Sequence, residues 1–149
     1  MQLEDIPHNY TYCYATAEQC SQASLCLRYH AARLNEEQDA PRSALSCVTP
    51  AYVAKVSAGT ACKYFRDSTR LQYARGMQHL FDAVPRSQWM RVRNDVMRVF
   101  SCERRFYYAQ KGEQLITPAE QKRIKTIFAN AGLSAPAFDH YEMKPDWTA

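Results

Sequence analysis

The residues best equipped for chemistry in this chain are its cysteines, and they are crowded. Five of six, Cys13, Cys20, Cys26, Cys47 and Cys62, fall within the first 62 residues. The first three read C-x6-C-x5-C in CYATAEQCSQASLC. Zinc takes four sulfur or imidazole donors in a tetrahedron. Cys13, Cys20 and Cys26 supply three, and three residues compete to be the fourth. Cys62, in ACKYF, would complete an all-cysteine site and close a long loop, where a cross-link stabilises most. His30 would complete C-x6-C-x5-C-x3-H, and Cys47 is the third option. Cys62 is preferred. SQASLCLRYHAARL is a good helix former without glycine, which makes His30 a helix-face histidine, and Cys47 beside Val48 reads as a small buried hydrophobe. An iron–sulfur cluster could use the same thiols, but the tight C-x2-C runs of ferredoxins do not occur.

The compartment bears on which chemistry applies. The opening MQLEDIPHNY has none of the charged, apolar and small-residue regions of a signal peptide, and no apolar run nears the roughly 20 residues that span a bilayer. A cytoplasmic chain with no membrane partner is expected. In a reducing compartment clustered cysteines favour bound zinc over disulfides, with buried free thiols the alternative.

A second set of residues carries charge. Residues 1–67 hold 6 Lys/Arg and 7 Asp/Glu, net −1; residues 68–132 hold 12 and 5, net +7; residues 133–149 hold 1 and 3, net −2, in agreement with the overall +4. A basic block between near-neutral flanks suits a polyanion such as DNA, although a solvated arginine-rich surface has the same composition. Glycine-rich phosphate loops are excluded, because only Gly59, Gly76, Gly112 and Gly132 occur. His8, His30, His79 and His140 are scattered, and neither H-E-x-x-H nor G-x-S-x-G is present, so no enzyme is expected.

These residues need elements to position them. Residues 18–34 read as a helix, ALSCV as a short strand and AYVAKV as a short element of either type. Leu71, Ala74, Met77, Leu80, Phe81 and Val84 recur at helical spacing up to Pro85. A second helix starts near Ser87, with Trp89, Val92, Val96, Val99 and Phe100 on its inner stripe. A third covers 103–110 and ends at Gly112. The fourth opens on Thr117, Pro118 and Glu120, a capping box with proline at its first turn, and closes at Gly132. Phe138, Tyr141 and Trp147 predict a docked tail.

The expected fold is mainly α with minor β. A small metal-stapled, Cys-rich region at 1–67 packs on a four-helix region at 68–132, followed by a docked tail at 133–149. The segment from Ser87 to Leu133 resembles the helix-turn-helix of repressor-like domains, in which the first turn of the second helix meets base edges. That resemblance implies Arg104 and Arg105 as base readers, since arginine pairs bidentately with guanine. It implies Arg91, Arg93, Arg98, Tyr108, Lys111 and Lys122 as phosphate contacts. Tyr107 and Tyr108 cannot both face inward, and an exposed aromatic beside arginines also suits a protein partner.

The chain as a whole resembles a family of short proteins of unknown function from gut Bacteroidetes. The likeness is carried by CLR at 26–28, Thr49-Pro50, ACKYF around Cys62, YARGM at 73–77, RRFYYAQKGE at 104–113, TPAEQ at 117–121, FDHY and PDW. It implies Cys13, Cys20, Cys26 and Cys62 as the metal set. The expectation is a zinc-stapled DNA-binding regulatory or accessory protein, with a metal-stabilised protein-interaction module as the alternative.

Overall fold

The computed structural model describes residues 1–148, and the chain falls into two compact units. Unit 1 comprises Met1–Arg70 with Pro145–Ala149, and unit 2 comprises Leu71–Lys144.

Unit 1 contains strand β1 (Thr11–Tyr12), helix α1 (Leu27–Glu36), strand β2 (Ser46–Cys47) and helix α2 (Pro50–Ser57). β1 and β2 pair in parallel, Thr11 opposite Ser46 and Tyr12 opposite Cys47. The helix expected over 18–34 starts only at Leu27. Residues 16–19 are locked in a turn by reciprocal bonds, Thr16 N–H to Gln19 Oε1 (2.9 Å) and Gln19 N–H to Thr16 Oγ1 (3.3 Å). Cys26 is held extended as the N-cap of α1, where Leu27 N–H donates to Arg66 O (2.6 Å) and Ser68 N–H to Leu25 O (2.9 Å). α2 settles the ambiguous AYVAKV segment: Thr49 caps it and Pro50 occupies its first turn.

Two small apolar clusters fill unit 1. Ile6, Tyr10, Tyr12, Leu27, Ala31 and Ala32 form one, against which Trp147 packs; Ala15, Val48 and Val53 form the other, flanked by Cys13 and Cys20. Arg42 ties the first together, donating to Leu3 O (3.0 Å), Ile6 O (3.1 Å) and the Tyr12 hydroxyl (3.2 Å). The expectation of a metal-stapled fold is therefore corrected. Apolar packing and these bonds hold unit 1, and no group of three or more His, Cys, Asp or Glu among the described residues is arranged to hold a metal ion.

Unit 2 interleaves strand β3 (Arg70–Arg75), helices α3 (Arg86–Met97) and α4 (Glu103–Lys111), strand β4 (Leu115–Ile116), helix α5 (Pro118–Asn130) and strand β5 (His140–Pro145). The sheet order is β4-β3-β5, with β3 antiparallel to β4. This overturns the mainly α, four-helix, helix-turn-helix-like expectation: the described residues give a mixed fold, 39% helical and 14% strand, with two sheets. The segment expected to be the first helix of this region is β3 followed by turns. Gly76 has φ +79°, and a Cβ there would lie 2.6 Å from Asp139 Oδ2, so a helix cannot run through it with this packing. Met77, Leu80, Phe81 and Val84 are still buried, but from turns. α3 starts one residue before Ser87, with Pro85 at its N-cap, and Trp89 is 39% exposed where an inner position was expected.

Other punctuation acts as expected. Gly112 ends α4 in the left-handed region, and Thr117 and Glu120 cap α5 reciprocally (Thr117 N–H to Glu120 Oε2, 2.8 Å; Glu120 N–H to Thr117 Oγ1, 3.2 Å). One continuous core joins sheet and helices, centred on Phe106, Ile116, Ile124, Val92 and Val96.

Candidate metal centre

Four separate segments of unit 1 bring Cys13, Cys20, Cys26 and Cys62 to the wall of one small apolar cavity. Each arrives by a local device. Cys13 follows β1, its N–H bonded to Arg28 O (3.1 Å). Cys20 closes the Thr16 turn through a bond to Thr16 O (3.1 Å). Cys26 sits in the extended link before α1, bridged to Asp67. Cys62 follows α2 in a loop pinned by Lys63 N–H donating to the Tyr52 hydroxyl (3.0 Å). Val48, Tyr64 and Phe65 complete an apolar surround.

The cavity measures about 20 Å³. That is room for one water-sized body, which needs about 10–15 Å³. Burial pushes the Cys13 thiol up from its ordinary pKa, and the neighbouring Cys26, Cys20 and Cys62 push it the same way against a backbone bond at Ala15. One cation also lines the cavity. Arg28 is fixed by bonds to Tyr64 O (2.9 Å) and Thr11 O (2.8 Å), with its guanidinium 4.9 Å from the Tyr10 ring centre. Arg28 carries no sequence signal beyond its place in the CLR segment at 26–28.

The donor set matches a closed zinc site in kind. In spacing it stops short, since the thiols border the cavity without forming a coordination group. A tetrahedral site at Zn–S 2.3 Å needs sulfurs about 3.8 Å apart. His30 and Cys47 lie outside the cavity lining. His30 Nε2 is 2.8 Å from Ser24 O, and Cys47 is exposed in β2. Cys102 is exposed in unit 2.

The residues expected to meet nucleic acid divide. Arg105 is engaged internally: it donates to Leu115 O (2.6 Å), pairs with Glu120 (3.2 Å) and covers the Phe100 ring at 5.4 Å. Arg104 is exposed and donates to the Tyr108 hydroxyl (3.0 and 2.9 Å). Arg98 pairs with Asp95 (3.2 Å), while Arg91, Lys111 and Lys122 are exposed. Arg93 sits among three rings, Trp89 (5.7 Å), Phe106 (5.3 Å) and Tyr107 (5.8 Å), and donates to the Tyr107 hydroxyl (3.1 Å). Trp89, Met90 and Tyr107 are all exposed around it.

A family model matches residues 1–147, taking in both units and all four cavity cysteines. The chain belongs to DUF6078, a family of unknown function. No curated protein and no solved structure matches the chain. Among the described residues, no helix of this DUF6078 member is long and apolar enough to cross a membrane.

Proposed function

We propose that this protein binds one zinc ion through Cys13, Cys20, Cys26 and Cys62, and that the outer face of α3 and α4 grips the phosphate backbone of DNA in an accessory, non-catalytic role. One observation carries the reading: four cysteines spread over 50 positions of sequence line a single cavity with room for little more than an ion. Binding requires the thiols to turn inward from their present spacing. Each ligand must lose a proton, so affinity falls with acidification. Arg28 lines the cavity as a positive charge fixed by its bonds to Tyr64 O and Thr11 O. The compartment that suits such a centre is a reducing one, the cytoplasm.

The DNA half of the proposal rests on Arg91 and Arg104, which are exposed and have no carboxylate partner among the described residues. Arg105 has no reading role here, because freeing it would break its bond to Leu115 O and its pairing with Glu120. The contact is thus with the backbone and weakly selective.

The same face favours a second reading. Exposed tryptophan, methionine and tyrosine around an arginine are the residue types enriched in protein interfaces.

Elemental analysis of purified protein, with fluorescence anisotropy on labelled duplex DNA, tests both halves. The expected result is one zinc per chain and binding that weakens steeply with salt. Replacing Arg91 and Arg104 with alanine should abolish the anisotropy change and leave zinc content intact. Absence of a salt-sensitive anisotropy change would remove DNA in favour of a protein partner, and unchanged binding in the double variant would overturn the α3 and α4 face as the contact.

A further inference from the structure

Unit 2 holds two adjoining cavities that neither zinc nor DNA explains. The larger, about 540 Å³, is within the size of small-molecule sites, about 300–1,000 Å³. Its floor is apolar, from Leu80, Val84, Phe128 and Phe138, all buried. The second, about 430 Å³, is polar and shares His79 and Asp139 with the first.

The polar cleft has a pre-formed frame. Arg75 clamps two of its sides, donating to Glu142 (2.5 Å) and to Gly112 O (2.7 Å). Asp139 is fixed by two bonds, its N–H to Gly76 O (3.0 Å) and its Oδ2 accepting Gln78 N–H (3.0 Å). Gly76 must lack a side chain for that carboxylate to seat. Gly112 brings the end of α4 against Gly76, 3.7 Å from where its own Cβ would be.

Arg75 is neutralised by Glu142 and His79 faces Asp82 at 2.9 Å, while the Asp139 carboxylate keeps its charge but is held against the backbone of Gly76 and Gln78. Lys111 is left over, a lining cation with no carboxylate partner among the described residues, and His140 stands exposed nearby. A rigid cleft in which, among the described residues, the one exposed, unpaired cation stands beside an apolar cavity, and the one unpaired carboxylate is seated on a backbone amide, has the makings of a site for an anion with a hydrophobic body.

We propose that unit 2 binds an amphipathic organic anion, its apolar body against Leu80, Val84, Phe128 and Phe138 and its charged head against Lys111 and His140. The body supplies most of the affinity by leaving water. Lys111 supplies the preference for a negative head over a neutral one.

Titrating the full chain with 8-anilinonaphthalene-1-sulfonate tests this, because the dye joins an aromatic body to a sulfonate. The expected result is saturable, blue-shifted emission at one dye per chain, displaced by decanoate and not by decanol. Lys111→Glu should weaken both dye and decanoate about tenfold, a loss of one favourable charge contact. Lys125→Glu, an equal charge change outside the cleft lining, should leave them unchanged. Ala137→Trp, which fills the apolar cavity, should remove saturable binding while the thermal midpoint holds. Absence of saturable binding by the parent protein overturns the site, as does persistence of binding in Ala137→Trp with an intact fold. Equal displacement by decanol, or equal effects of Lys111→Glu and Lys125→Glu, overturns the head-group assignment. All four cavity cysteines are present in every variant, so the outcome is independent of the zinc proposal.

Discussion

The two units solve the same stability problem differently. Unit 2 gathers fifteen buried side chains into one core spanning sheet and helices. Unit 1 divides its apolar residues between a cluster of six and a cluster of three, and it lines a cavity beside the smaller one with four thiols. Buried apolar area is the main source of folding free energy. The comparison teaches that unit 2 stands on packing, whereas unit 1 has the most to gain from an added ligand.

The sharpest way to break this contrast is Phe106→Ala. Phe106 is fully buried between Phe100 and Tyr107, so its loss should cost about 3–5 kcal/mol in urea unfolding. That cost should be the same with zinc or with chelator. A zinc-sensitive cost would mean that the units do not draw on separate sources of stability.

The next effect belongs to unit 1. Zinc at a hundred times its dissociation constant should stabilise the parent by about 3 kcal/mol. Cys20→Ser should lose that increment and Cys47→Ser should keep it, read as chelator-dependent shifts of the thermal midpoint. Equal behaviour of the two variants would contradict the ligand set.

A smaller effect tests unit 2 at a helix end. Thr117→Ala removes the side-chain acceptor of the α5 capping box and should cost about 1 kcal/mol. Thr117→Ser should restore most of it. An alanine variant with unchanged stability would show that the cap contributes nothing.

The smallest effect is one of sign. In the metal-free protein the folded state holds the Cys13 proton more tightly than the unfolded chain does. That contribution is complete below the thiol range and is lost as pH rises through it. Zinc-loaded protein should show the opposite trend, weakening as pH falls and protons compete for the thiolates. Unfolding midpoints across that range, with and without chelator, should therefore diverge; parallel curves would argue against coordination by these thiols.

How much of this was legible beforehand depended on whether the deciding contact was local. The end of α4 at Gly112 and the start of α5 at Thr117 could be read, because each rests on residues within one helical turn. The cysteine grouping could be proposed from residue type and compartment, and the structure brings the same four to one cavity. β3 is not legible as a strand because Leu71, Ala74 and Met77 fit helical spacing, while the contact that forbids a helix is Gly76 with Asp139, a residue that follows all three unit 2 helices in the sequence. The inward engagement of Arg105 has no local signal, because nothing nearby in sequence marks Glu120, fifteen residues on, as its partner. The polar cleft lacks a local signal for the same reason: Arg75, Lys111 and His140 meet only once the sheet has formed.

The most direct test of the central claim is zinc-edge X-ray absorption on the full chain loaded with one equivalent of zinc. Four sulfur neighbours at about 2.3 Å are expected in the parent and in Cys47→Ser, with three or fewer in Cys62→Ser. A shell dominated by nitrogen or oxygen, or zinc that washes out of the parent protein, would contradict it.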